Sequence, residues 1–164
     1  MINAKKYENT ILFLAKTQED GAVHGRKKLA KLLYYADFDR FEYKDSMTSI
    51  TGDTYRNRRM GPVPEVYLDV AEDMAERGLL AIVEKDEYAG MRPTVIYKGL
   101  REPDMSVFDE DDLAILERVR RTYSRLSGAQ LEALSHREAP WAGTNLGDSI
   151  PYEAAFYRGT DFDS

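Results

Sequence analysis

The sequence predicts a mostly helical α+β domain with a winged-helix-like core, a small β-hairpin and C-terminal helices. Three observations predict this class. Apolar residues recur at helical spacing early in the chain, two strand-like segments follow as a pair, and helical spacing returns in the last third. The length of 164 residues suits one domain, expected over residues 1–158, with a flexible tail over 159–164.

The first half of the chain is predicted to form three helices and one short strand. Tyr7, Ile11 and Leu14 lie four and seven positions apart, the spacing of an amphipathic helix. The sequence GPVP at 61–64 is expected to form a rigid turn, because proline lacks the amide donor that a helix interior requires. The predicted helices cover residues 3–18, 26–43 and 64–77, and the predicted strand covers 54–58.

The second half is predicted to form a β-hairpin and three more helices. The loop between the two strands is longer than the tight two-residue type. Asp109 or Asp111 is expected to cap the first of these helices and Ser127 the second, because their side chains can accept a hydrogen bond from the first turn. The predicted strands cover residues 79–85 and 94–98, and the predicted helices cover 111–125, 128–137 and 151–157.

Composition and charge exclude several classes of protein. The chain has no cysteine, which excludes disulfides, thiolate metal sites and a cysteine nucleophile. No window approaches the roughly 18 apolar residues of a membrane span, so we expect a cytoplasmic protein with no membrane contact. Residues 1–60 carry 12 basic and 8 acidic residues, whereas residues 61–164 carry 11 and 21. This acidic balance disfavours general nucleic-acid binding and suits a basic protein partner.

Catalytic and cofactor motifs are missing from the sequence. His24 and His136 are its only histidines, and neither lies in an HExxH pattern. Ser135 precedes His136 on a predicted helix. Neighbouring side chains on a helix point about 100° apart, so these two residues do not form a local catalytic pair. No GxSxG elbow or glycine-rich phosphate loop occurs. We therefore expect no catalytic residue, no cofactor and no metal.

A winged-helix-like layout raises the alternative of a DNA-binding regulator. Such folds place a recognition helix in the major groove. The candidate helix at 64–77 has a single basic residue, Arg77, and phosphates would repel its acidic side chains. Its acids are Glu65, Asp69, Glu72, Asp73 and Glu76.

Residues 51–64 are a candidate for partner binding. This segment concentrates arginine, tyrosine and methionine beside two prolines, and these three residue types are enriched at protein interfaces. An alternative is that the segment only connects two helices, with Tyr55 and Met60 in the core. The residues expected to be exposed for a partner are Tyr55, Arg56, Arg59, Met60 and Val63.

Four ordered motifs resemble the Panacea domain of SocA-like antitoxins. They are KLLYYAD at 31–37, ITGDTY at 50–55, RMGPVP at 59–64 and LEALSHREAPW at 131–141. The resemblance spans most of the chain. The positions that match the family signature are Tyr34, Tyr35, Asp37, Gly52, Asp53, Gly61, Pro62, Pro64, His136 and Trp141.

This resemblance implies an antitoxin, often encoded in prophages beside its toxin, that neutralises a protein toxin by direct contact. A second possibility is a proteolytic adaptor that delivers the toxin to the ClpXP protease, with the acidic tail as the protease-binding surface. Gly52, Gly61 and Pro62 are expected to fix backbone shape. His136 and Trp141 are expected to form a core pair, with the imidazole hydrogen-bonded.

Overall fold

A central buried helix organises the computed structural model, which describes residues 1–163. Every residue from Leu29 to Glu42 of α2 (Arg26–Glu42) is buried. Three of the other α-helices and strands of both sheets pack against α2, and a buried stretch of helix needs no polar face. The other helices are α1 (Ala4–Lys16), α3 (Tyr67–Glu76), α4 (Glu110–Thr122), α5 (Gly128–His136) and α6 (Ala139–Ala142), with 3₁₀ turns at Tyr43–Asp45, Met105–Val107 and Tyr152–Tyr157.

One three-stranded antiparallel sheet forms the wing. The predicted hairpin is present as β4 (Leu80–Lys85) and β5 (Thr94–Gly99), and the short strand β1 (Ala22–His24) pairs with the other side of β5. The order α1, β1, α2, α3, β4, β5 is winged-helix-like. The mostly helical α+β class is therefore confirmed.

A second antiparallel sheet differs from the prediction. The segment expected as a rigid turn is strand β3 (Gly61–Pro64), which pairs with β2 (Tyr55–Arg58), while β2 also pairs with β6 (Ser149–Ile150). Proline is tolerated in β3 because this is an edge strand of its sheet. The actual turn is Arg59 and Met60.

The helices α4 and α5 begin where their predicted capping residues lie. Asp109 and Ser127 each form a capping box, so α4 and α5 begin at Glu110 and Gly128. The predicted last helix is a 3₁₀ turn, and part of the predicted flexible tail contacts the domain. Thr160 hydrogen-bonds to Glu42, and Phe162 packs beside Tyr43. Within residues 1–163, no helix is both long and apolar enough to cross a membrane.

Candidate functional site

The β2–β3 hairpin presents part of the predicted partner-binding segment to solvent. Arg59 and Met60 lie at its tip, and Met60 is 51% exposed. Arg56 and Val63 are half-buried on the strands. Tyr55 was expected to be exposed, and this is wrong, because its side chain is fully buried. Side chains alternate along a strand, so Tyr55 faces α2 on the side opposite Arg56.

Asp37 of α2 anchors the base of the hairpin. This fully buried carboxylate accepts hydrogen bonds from the backbone amides of Ile50 and Thr51 at 2.9 and 2.8 Å. It also accepts the Thr51 hydroxyl at 2.5 Å and the Tyr55 hydroxyl at 2.6 Å. Burial raises the pKa of Asp37 to about 6, against the opposing effect of these four hydrogen bonds. One side chain therefore fixes both the loop before β2 and the first residue of β2.

Asp53 makes a second anchor at the same end. Its carboxylate accepts the Tyr7 hydroxyl at 2.6 Å, the Thr54 amide at 2.7 Å and the Val66 amide at 3.0 Å. Gly52 beside it has φ of +76°, and a Cβ there would overlap the Met1 carbonyl. These contacts join α1, the hairpin and the start of α3.

Lys31 of α2 contacts the backbone of β3. Its side chain is 1% exposed, and its ammonium donates to the Pro62 carbonyl at 2.9 Å. Burial lowers the pKa of Lys31 to about 8. Gly61 has φ of +111°, and a Cβ there would lie 2.7 Å from Lys31 Cε and 2.8 Å from Ser135 Oγ. Glycine at this position thus allows the strand to pass directly over α2 and α5.

The C-terminal motif holds the outer side of the hairpin. The Asn57 amide donates to the carbonyls of Trp141 and Thr144 at 2.9 and 3.1 Å, and Trp141 Nε1 donates to the Arg58 carbonyl at 2.8 Å. His136 stacks on Trp141 with ring centroids 3.9 Å apart, as expected of a pair. However, both residues are only half-buried, and His136 Nε2 has no hydrogen-bond partner within the described chain. The pair therefore braces the hairpin at the surface of the domain.

A buried charged network connects α2 to the C-terminus. Tyr34 and Tyr35 donate to Glu138 at 2.6 and 3.1 Å. Arg158 also reaches Glu138, and its Nη2 lies 2.7 Å from Asp39 Oδ1. The side chain of Arg158 is only 3% exposed, so this guanidinium closes the core beneath the last turn.

The exposed hairpin tip lies close to Trp141, which is half-buried, and to the exposed Leu146. Trp141 contacts Arg58, which directly precedes Arg59 and Met60, and the Gly147 amide donates to the Asn57 carbonyl at 2.7 Å. Leu146, next to Gly147, is 72% exposed. We define the hairpin-tip patch as Arg59, Met60, Trp141 and Leu146.

The helix that follows the hairpin has an acidic outer face. Asp69, Glu72, Asp73 and Glu76 of α3 are exposed, as is Glu65 just before the helix. Glu65 pairs with Arg56 at 2.9 Å across the base of the hairpin. The acidic face and the hairpin are therefore continuous.

Sequence reasoning missed some of the residues that support the hairpin and the core next to it. Lys31, Asn57, Glu138 and Arg158 all make key contacts, yet none was singled out. The alternation of Tyr55, Arg56, Asn57 and Arg58 did contain a signal for Asn57, because residues two apart share a strand face. Lys31 is the first residue of the motif at 31–37, but nothing in its local sequence predicts that this lysine is buried.

Buried and exposed residues of the hairpin region differ in chemical type. The signature side chains that carry charge are buried and hydrogen-bonded to the fold, and the exposed residues near the tip are two arginines and large apolar side chains. Within residues 1–163, no group of three or more histidine or acidic side chains is arranged to hold a metal ion. Fold and site thus define a winged-helix-like domain that presents a rigid hairpin.

Comparison with known proteins identifies the family. The model of the "Antitoxin SocA-like, Panacea domain" family matches residues 29–142, well over half of the chain. This chain belongs to the SocA-like Panacea antitoxin family. Neither the curated proteins nor the solved structures contain a significant match.

Proposed function

We propose that this chain is the antitoxin of a type II toxin–antitoxin pair and neutralises a protein toxin by direct binding, without catalysis. The observation that carries the proposal is the hairpin of this family's domain, which is fixed by buried hydrogen bonds while its arginine and methionine tip is exposed. A surface fixed before binding loses little conformational entropy when a partner docks. Both proteins are expected in the cytoplasm.

The proposed mechanism is occlusion of the toxin's active site or substrate surface. A stable complex needs about 1,200–2,000 Å² of total buried area. Arginine, methionine and tryptophan, the residue types of Arg59, Met60 and Trp141, are enriched at interfaces, and a few aromatic and arginine side chains carry most of the binding energy there. We therefore place the centre of the contact at the hairpin-tip patch.

Co-expression with the product of the adjacent gene tests this proposal. We expect the neighbour alone to stop growth, and co-expression to restore growth with a co-purifying complex. The double variant Arg59→Ala/Met60→Ala should reduce both the restoration of growth and the amount of co-purifying neighbour. Its matched control is Met91→Ala/Arg92→Ala, which removes the same two side-chain types from the exposed wing loop. Rescue without a complex would contradict direct binding. Equal effects of the two variants would contradict the proposed binding site.

The main alternative is a winged-helix regulator that binds DNA. The order of helices and strands favours it, whereas the acidic outer face of α3 opposes it. Salt-sensitive operator binding by the purified protein would support this alternative. We expect no such binding.

A proteolytic adaptor is the other alternative. It needs a second surface for the ClpXP protease, and residues 159–163, which include the exposed acids Asp161 and Asp163, are the candidate. Under this alternative, toxin abundance should fall when the antitoxin is present and recover in a strain that lacks the protease. Under occlusion, toxin abundance stays constant while its activity is lost.

A further inference from the structure

A groove of about 490 Å³ lies between the N-terminal segment, α1 and α3. Ile2, Ala4 and Val70 give it an apolar floor, and Ile2 is 41% exposed. The volume falls within the range of about 300–1,000 Å³ that is typical of small binding pockets. The groove can therefore take one large apolar side chain from a partner.

The rim of this groove is acidic. Glu8, Asp69 and Asp73 surround it together with one basic residue, Arg77. Arg77 pairs with Asp73 at 2.8 Å and with Glu8, whereas Asp69 makes no ion pair in the described chain. The remaining acids of α3 extend the negative charge along the same helix.

Backbone contacts fix the N-terminal segment that lines the groove. The Asn3 amide donates to the Thr51 carbonyl at 2.9 Å, and the Met1 carbonyl packs against Gly52. These contacts fix Ile2 in place although its side chain faces solvent. Because Thr51 and Gly52 also lead into β2, the groove and the hairpin share one rigid base.

We propose that this groove binds an apolar side chain from a basic segment of the toxin. The inference rests on the proposed function and adds a second contact to the hairpin-tip patch. An acidic rim repels nucleic acid, and a second copy of this chain would place one acidic α3 against another. A segment with lysine or arginine beside a leucine, isoleucine or phenylalanine matches both the rim and the floor. The Arg56–Glu65 ion pair links the hairpin to the residues that lead into α3, the helix that lines the groove.

Two variants test the groove with the adjacent gene's product as the probe. Asp69→Lys/Asp73→Lys reverses the rim, and Ile2→Ser removes the exposed part of the floor. The matched control is Glu84→Lys/Asp86→Lys, which makes the same charge change on the exposed wing. Urea unfolding of each variant verifies that it remains folded.

We expect the rim variant to raise Kd at least tenfold and to reduce the dependence of Kd on salt, because fewer opposite charges then meet. Ile2→Ser should raise Kd several-fold and leave the salt dependence unchanged. The wing control should bind like the wild type. If the wild type binds the neighbour and the rim variant binds it equally well, the groove proposal is overturned and the proposed function stands. A wild-type protein that does not bind the neighbour overturns the proposed function, and the groove proposal with it.

Discussion

Substitution of Asp37 tests how the domain holds its hairpin. In Asp37→Ala, four donors lose their acceptor. The hydroxyls of Thr51 and Tyr55 can rotate toward other partners, but the amides of Ile50 and Thr51 cannot. An unsatisfied buried amide costs about 1–3 kcal/mol, so the two together should lower the free energy of unfolding by about 4 kcal/mol.

Asp37→Asn should be much milder. The asparagine carbonyl can still accept both amides, and its NH₂ group can donate to hydroxyls that turn to accept. We expect a loss of about 1–2 kcal/mol at low pH, where the wild-type side chain is also neutral.

The comparison of Asp37 with asparagine becomes informative as the pH rises. The pKa of Asp37 is raised from 3.8 to about 6, so the folded state holds this proton more tightly than the unfolded state. The stabilisation from the bound proton is complete below pH 3.8 and disappears as the pH passes through 6. Each pKa unit corresponds to about 1.4 kcal/mol, and about 1.75 pKa units of this difference titrate between pH 4 and pH 7, so the wild type should lose about 2.4 kcal/mol relative to Asp37→Asn over this range.

Urea unfolding at pH 4, 5, 6 and 7 measures this difference, with circular dichroism and the fluorescence of Trp141 as two probes. Other buried carboxylates, such as Asp39, titrate in both proteins and cancel in the comparison. If the wild type instead gains stability over the asparagine variant as pH rises, the four hydrogen bonds outweigh burial and our account of Asp37 is wrong.

Three further changes probe other parts of the fold. The pKa of Lys31 is lowered to about 8. The folded state therefore releases its proton before the unfolded state does, and wild type should gain about 3 kcal/mol over Lys31→Met between pH 8 and 10.5 by urea unfolding. Gly61→Ala should cost about 2 kcal/mol or more, measured the same way, because φ is +111° and the new Cβ meets Lys31. Hydrogen bonds to Asp20 and Glu87 raise the pKa of His24, so its stabilising charge is present at low pH and lost as pH rises through that raised value. Amide exchange of the wing loop, corrected for its intrinsic pH dependence, should accelerate across that range in wild type and not in His24→Gln.

Much of the fold was predictable because its signals are local. The bounds of α4 and α5 follow from side chains that cap their first turns, and the wing follows from two runs of strand-forming residues. Strand β1 was missed because it has only three residues and its pairing with β5 is distant in sequence. Strand β3 was mistaken for a turn because two prolines usually break a strand, and only its edge position makes them acceptable.

The candidate site was less predictable, because its supporting contacts are long-range. Glu138 is 104 positions from Tyr34, and Arg158 is 119 positions from Asp39. No periodicity within one helix indicates such pairs. Tyr55 shows the same difficulty, since its burial depends on Asp37, a residue on another element.

The placement of buried and exposed residues separates two roles within the hairpin. Asp37, Asp53 and Lys31 each connect elements through buried hydrogen bonds, so substitutions there should unfold the domain before they inform on binding. Arg59 and Met60 are exposed at the tip, and substitutions at such positions usually change stability by less than about 0.5 kcal/mol. The same scaffold can therefore carry different tip residues at little cost to folding. This is the property that the proposed binding of a toxin requires of the domain.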